Sequence, residues 1–189
     1  MANDRYIPNF ILNIPVRGLV RFPISVFAKY LKMGYLVVDM GSGPGYYSIK
    51  MARMKLDLRI ISIDPNSLAV ARLKKLSQEN GLNNITPLCL SANALNTIED
   101  NSVDFVVSHL MLCCMSDHDG AMKETMRILK PGHFVFLSVN KRSSSKDKRD
   151  VSAEEWNELK KQYKVIEEGS SLISRWAVIQ KEEEISNDS

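Results

Sequence analysis

Val37-Val38-Asp39-Met40-Gly41-Ser42-Gly43-Pro44-Gly45 is the stretch whose reading decides the fold. Two β-branched residues and an acid run straight into three glycines spaced two apart. β-branched side chains suit a buried strand, and glycine lets the backbone turn where other residues are strained. The pattern predicts a parallel strand ending in a tight loop, with a helix starting near Tyr46. Such a loop also lets a ligand come within contact distance of main-chain N–H groups. Asp39, at the carboxyl end of the strand, then faces the crevice in which open α/β sheets bind ligands. The stretch predicts a cofactor site.

Two cofactors compete for it. A dinucleotide fingerprint wants G-x-G-x-x-G and an acid about 20 residues further on. Asp64, 19 residues after Gly45, supplies the acid, but Tyr46 stands where the third glycine belongs. Asp39 also argues against a pyrophosphate, because a carboxylate there repels phosphate and suits a cationic amine. S-adenosylmethionine has an ammonium, a sulfonium and a ribose but no phosphate, so the charge pattern favours it.

The chain resembles the class I S-adenosylmethionine-dependent methyltransferases, and the ordered series of motifs carries the likeness. The glycine loop is followed by Ile60-Ile61-Ser62-Ile63-Asp64, a second strand ending in an acid. Asn101-Ser102-Val103-Asp104-Phe105-Val106-Val107-Ser108 looks like the fourth strand of that fold, and Ile128-Leu129-Lys130-Pro131-Gly132-His133 like the turn into the fifth. Order and spacing agree over roughly residues 35–140. The implied architecture is α/β: a Rossmann-like, doubly wound, seven-stranded sheet, mostly parallel, with a reversed C-terminal strand.

Composition bounds the rest. With 189 residues, 44% of them apolar, the chain can bury one good core. No run of 18 apolar residues is present, which predicts no stable membrane insertion. The N-terminus lacks the pattern of a secretory signal, and three cysteines without framework spacing fit a reducing, cytoplasmic setting. A net charge of +3 is too mild to demand a nucleic acid. No loop lined with aromatic and basic residues is present for stacking, and no Asn-Pro-Pro-Tyr-like sequence follows the fourth strand, so no DNA partner is expected. The oligomeric state is not legible.

The expected organisation is an N-terminal arm and lid helix over 1–32, the methyltransferase domain over 33–181 and a disordered tail over 182–189. Within the domain, strands are expected near 35–39, 58–63, 84–90, 103–108 and 133–139. Helices are expected over 45–54, 66–79 and 117–129, with Asn66 or Ser67 capping the second and Asn80-Gly81 ending it. A charged, serine-rich loop covers 141–150, and Ser152 with Glu155 opens a further helix. The strands near 163–168 and 172–180, joined by Gly169-Ser170-Ser171, form an antiparallel hairpin.

By the resemblance, Gly41, Ser42, Gly43 and Gly45 wrap the methionine part of the cofactor and its ribose. Asp39 organises the site around the ammonium, with capping of the loop's own amides as the competing role. Asp64 takes the ribose hydroxyls, since a carboxylate accepts two O–H bonds at once. Pro65 and Asn66 flank the adenine. A common pattern in relatives places an acid and an alanine at the adenine amino group, but here the segment is Ser91-Ala92-Asn93-Ala94-Leu95. Asn93 is expected to present its carbonyl and Ala94 its amide, with Ala92 as the alternative one residue earlier.

Ser108 and the loop that follows, His109 through His118, are expected to border both cofactor and acceptor. Relatives often have two histidines where Cys113 and Cys114 stand. The cysteines read as packing residues, as a polarity adjustment for an apolar acceptor, or as part of a soft-ligand site with His109 and His118; no metal is expected. His109 is a candidate general base. Arg17 or Arg21 of the arm is placed to reach the cofactor's carboxylate. The predicted activity is in-line methyl transfer to a small-molecule acceptor, driven by proximity and alignment. Alternatives are a non-catalytic partner subunit, a lipid or quinone acceptor, and a thiophilic, arsenite-like acceptor.

Overall fold

The computed structural model describes residues 24–142 and 147–183. Most of the expected arm, including Arg17 and Arg21, and residues 184–189 of the expected tail lie outside the described residues.

Seven strands form one sheet in the order β3-β2-β1-β4-β5-β7-β6. They are β1 (Leu36–Met40), β2 (Arg59–Ile63), β3 (Ile85–Leu88), β4 (Val103–His109), β5 (Leu129–Asn140), β6 (Lys164–Ser170) and β7 (Ser174–Gln180). β1 pairs in parallel with β2 and β4, β2 with β3, and β4 with β5. β7 is antiparallel to both β5 and β6, which is the reversed strand expected from the short hairpin connection.

Side chains alternate across the sheet, as strand geometry requires. Val37, Phe105, Val107, Phe136, Trp176 and Val178 face one core, while Val38, Val106, Val135, Leu137, Ala177 and Ile179 face the other. Helices α1 (Ser25–Ala28), α2 (Tyr46–Ala52) and α3 (Ser67–Glu79) cover the first face through Phe27, Tyr47, Met51 and Leu73. Helices α4 (His118–Ile128) and α5 (Ala153–Lys161) cover the second through Met122, Ile128, Trp156 and Leu159.

Local signals explain the helix starts. Asn66 caps α3 by accepting from the Leu68 and Ala69 amides, and Gly81 lies just past its end at φ +64°. Ser152 caps α5 by accepting from the Glu155 amide. Asp117 caps α4 through the Gly120 amide, so this helix begins one residue after the expected start.

Two features depart from the sequence reading. β5 extends back to Leu129, four residues earlier than expected, because Leu129 pairs with Val103 ahead of a register shift. A single 3₁₀ turn, Leu112–Cys114, follows β4 where no regular element is expected. Phe27 and Leu31, at the end of the expected arm, are core residues. The Phe27 ring lies 4.9 Å from Phe136 and 5.7 Å from Tyr47.

Candidate cofactor site

The direction of chain progression reverses between β1 and β4, and the loops after these strands border the crevice at that switch point. The loop after β1 is left-handed at each of its glycines: Gly41 φ +72°, Gly43 φ +54° and Gly45 φ +88°. It is tied to β2. The Gly41 and Ser42 amides both donate to the Ile63 carbonyl at 2.9 Å, and the Gly43 amide donates to Asp64 Oδ2 at 2.8 Å. Asp64 Oδ1 accepts from the Asn66 amide at 2.9 Å. Each Asp64 oxygen thus uses one acceptor direction on the backbone and keeps another for a hydroxyl. Burial raises the Asp64 pKa, and those two backbone N–H groups oppose the rise.

Asp39 is 2% exposed. Its Oδ2 accepts from the Ser48 amide at 3.0 Å and from the Ser48 hydroxyl, which in turn accepts from Ser62 Oγ at 2.8 Å. Asp39 thus caps an amide at the start of α2, whereas the amides of Gly41, Ser42 and Gly43 are taken by Ile63 and Asp64. Burial pushes its pKa up to about 6, against the Ser48 hydrogen bonds, which pull it down. Nearby, Ser108 Oγ at the end of β4 is buried with no hydrogen-bond partner among the described residues.

The adenine-side residues are arranged differently from expectation. Ala92 is buried in the core, and the Ala94 amide donates within its own turn to the Ser91 carbonyl at 3.0 Å. Asn93 Oδ1 accepts from Ser91 Oγ at 2.7 Å, and Asn93 Nδ2 donates to Asp117 Oδ2 at 2.6 Å. An acid thus stands beside this segment after all. It comes from the α4 cap, 24 residues along the chain, and so is invisible to local motif reading. The Asn93 amide and the Gly120 N–H hold the Asp117 pKa below the usual carboxylate range. Pro65 is exposed, its carbonyl 3.6 Å from Cys89 Sγ, and the Asn66 side chain is occupied as a helix cap.

The loop after β4 packs against the glycine loop: a Cβ on Gly41 would lie 2.7 Å from Met111 Cγ. His109 Nδ1 is 2.7 Å from Ser138 Oγ on β5, and its ring meets Tyr47 edge-on at 5.1 Å. Leu110 is held at φ +55°, its amide donating to the Ser138 carbonyl at 3.0 Å and to Ser138 Oγ at 3.2 Å. Cys113 and Cys114 both direct their thiols at the Leu110 carbonyl, at 3.1 and 3.4 Å. The Cys114 thiol and burial push the Cys113 thiol pKa up, which suits packing rather than metal ligation. His118 is separated from this pair by function: it bonds Glu155 Oε1 at 2.6 Å and the Met115 carbonyl at 2.8 Å. No cluster of three or more metal-ligating side chains occurs among the described residues.

These residues fit S-adenosylmethionine. Two carboxylates flank the loop, residues 37–48 contain no basic side chain to meet a phosphate, and a Cβ on Gly43 would meet nothing within 4 Å, leaving room for a ligand. Residues 38–137 match the family model of a methyltransferase domain. The chain belongs to that family.

Among curated members, the methyltransferase domain is 33% identical over 110 residues to the ubiquinone biosynthesis O-methyltransferase of Cupriavidus pinatubonensis, covering 58% of this chain and 43% of that protein. It is 25% identical over 134 residues to the ribosomal protein L11 methyltransferase of Syntrophomonas wolfei, covering 69% and 41%. The chain thus spans less than half the length of either relative. Among solved structures, a SAM-dependent methyltransferase from Aquifex aeolicus superposes with TM-score 0.77 at 22% identity, covering 93% of this chain and all of that one. The [4+2]-cyclase SpnF superposes with TM-score 0.75 at 20% identity over 85% and 80%. At these identities the superpositions establish the fold, and the family carries S-adenosylmethionine as its cofactor.

Proposed function

We propose that this chain is an S-adenosylmethionine-dependent methyltransferase acting on a small organic acceptor bound beside the loop after β4. The observation that carries this reading is the pair of carboxylates, Asp39 and Asp64, on either side of a phosphate-unfriendly glycine loop at the sheet's switch point. Bound there, the cofactor supplies a methyl group on a cationic sulfur, already activated for displacement.

The chain's own contribution is placement. Asp64, fixed by two backbone N–H groups, offers its remaining acceptor directions to the ribose hydroxyls. Asp39 supplies negative charge near the ammonium, and ionising it favours binding. Ser108 Oγ gains a partner when the crevice fills. Asn93, steadied by Ser91 and Asp117, faces the adenine in place of the acid that relatives carry. Holding two reactants in line contributes about 7–11 kcal/mol, so no dedicated triad is required. Leu110, partly exposed after β4, gives the acceptor side an apolar character. With the similarity to an enzyme of ubiquinone biosynthesis, this supports a hydroxylated ring as acceptor.

Calorimetric titration tests the reading. S-adenosylmethionine and S-adenosylhomocysteine should bind in the micromolar range, and Asp64→Ala should weaken both roughly 100-fold, as loss of charge-assisted hydrogen bonds predicts. Binding of NADH in place of both would overturn the assignment.

A further inference from the structure

Surface charge is divided unevenly between the two helical layers. On the layer of α2 and α3, Lys50, Arg53, Arg72, Lys74 and Lys75 are all exposed. Lys50 and Arg53 stand three residues apart on α2 and its C-cap, as Arg72 and Lys75 do on α3, so each pair forms a row along its helix. The Arg53 guanidinium donates to Asn80 Oδ1 at 2.6 Å and joins the ends of the two helices. Beyond those ends, the Gly34 N–H donates to the Leu56 carbonyl at 2.8 Å, and the Arg59 N–H to the Tyr35 carbonyl at 2.9 Å. These bonds gather the exposed Lys32, Lys55 and Arg59 at the amino ends of β1 and β2.

Little opposes this band. Asp57, Asp64 and Glu79 are the acids between residues 41 and 98; Asp64 belongs to the cofactor site and Glu79 pairs with Lys75 at 3.8 Å. Lys32, Lys50, Lys55, Arg59, Arg72 and Lys74 make no ion pair among the described residues. On the opposite layer, Arg127 is matched by Asp100 and Glu124, Lys160 by Glu168, and Lys161 by Glu158. A net charge of +3 conceals the division. Asymmetry of this kind fits a polyanionic partner.

We infer that the α2–α3 layer is a docking surface for double-helical RNA, gripped through its phosphate backbone. A protein partner would bury an apolar or aromatic anchor at the centre of the patch, and a membrane would take apolar side chains from among the bases. The large apolar side chains exposed near the band, Leu68 and Met33, stand at its opposite ends, in the first turn of α3 and the turn before β1. Single strands need open aromatic platforms, whereas half-buried Tyr46 has the Lys50 ammonium over its ring at 4.6 Å. A duplex needs fixed cations alone. The shallow minor groove of RNA suits this layer, from which no element projects to enter the major groove of DNA. None of these basic side chains belongs to the cofactor site, so the inference does not rest on the methyltransferase reading.

Fluorescence anisotropy of a labelled RNA duplex of about 16 base pairs tests the inference. Binding in roughly the micromolar range is expected at about 50 mM KCl, weakening roughly 100-fold or more by about 200 mM as some five phosphate contacts are screened. Lys50→Glu combined with Arg72→Glu should lower affinity roughly tenfold or more, since two contacts become repulsive. Lys161→Glu combined with Lys164→Glu, the same change in net charge on the other side of the sheet, should leave affinity unaltered. Thermal unfolding and S-adenosylmethionine titration, unchanged in both variants, show that any loss is not a loss of fold. Silence toward RNA at the lower salt, or equal loss in the two variants, would overturn the inference. So would a matching DNA duplex, or phosphatidylglycerol vesicles, bound as tightly as the RNA.

Discussion

The loops after β1 and β4 sit side by side at the carboxyl ends of adjacent strands, yet they reach a left-handed backbone by opposite means. The first uses glycine three times, at Gly41, Gly43 and Gly45. The second imposes the same conformation on a leucine, Leu110. Asp57 and Asn101 are the other non-glycine residues with positive φ among those described, and such residues tolerate it. Leu110 does not, and a left-handed leucine costs about 1–2 kcal/mol. Its amide is anchored to Ser138 and its carbonyl receives two thiols, so the surroundings supply what the residue type lacks. One loop is shaped by its own residues, the other by its neighbours. Strain of the second kind concentrates at functional sites.

The comparison is broken most severely at Gly45. A Cβ there would lie 2.1 Å from Leu73 Cδ1, so Gly45→Ala combines a left-handed alanine with overpacking against α3. Urea unfolding should show a loss of about 3 kcal/mol. Gly43→Ala, whose Cβ meets nothing within 4 Å, should lose only about 1 kcal/mol of stability while impairing cofactor binding. Equal losses at the two sites would show that conformation alone, not packing, governs the glycine loop.

Asp39, beneath that loop, gives a comparable effect that depends on pH. Its folded pKa is raised to about 6 from 3.8, so the folded state binds the proton more tightly than the unfolded chain. The stability this supplies is fully present below about pH 4 and is lost as pH rises through 6. In Asp39→Asn the amide oxygen can take the place of Oδ2 and keep both Ser48 hydrogen bonds. Relative to wild type, the variant should therefore gain up to about 3 kcal/mol between pH 4 and pH 8. Thermal unfolding across that range checks it, and parallel curves for the two proteins would contradict it. Cofactor affinity should rise through the same pH interval in wild type and stay flat in the variant.

The smallest expected effect sharpens the contrast. Leu110→Gly removes backbone strain but adds unfolded-state freedom of similar size, so stability should change by less than about 1 kcal/mol. A large loss in urea unfolding would mean that the leucine side chain, and not only its backbone geometry, holds the second loop.

The same division explains what the sequence revealed. Strand–helix alternation, the caps at Asn66 and Ser152, and the Gly41–Gly45 loop are local signals, in which residue type and conformation agree, and they were legible. So was the C-terminal hairpin, because the connection after Ser170 is too short for a parallel crossover. The loop after β4 was not legible, since its left-handed Leu110 is held by Ser138, 28 residues away. Asp117 was missed for the same reason: its link to Asn93 exists only across the fold. The Ala94 amide, expected to be open to a ligand, is consumed by a turn that no motif announces.

The place of β7 has a consequence for how the chain is made. β5 ends at Asn140, but the strand that covers its outer edge begins only at Ser174. While the chain emerges from the ribosome, every strand bordering the crevice exists before that edge has a partner. β6 does not help, because among the described strands it pairs with β7 alone. For that interval Val135, Phe136 and Leu137 lie along an open strand edge, the kind of surface that recruits other chains. The half of the sheet that borders the crevice forms first, and its outer edge is covered only when β7, the last of the described strands, emerges.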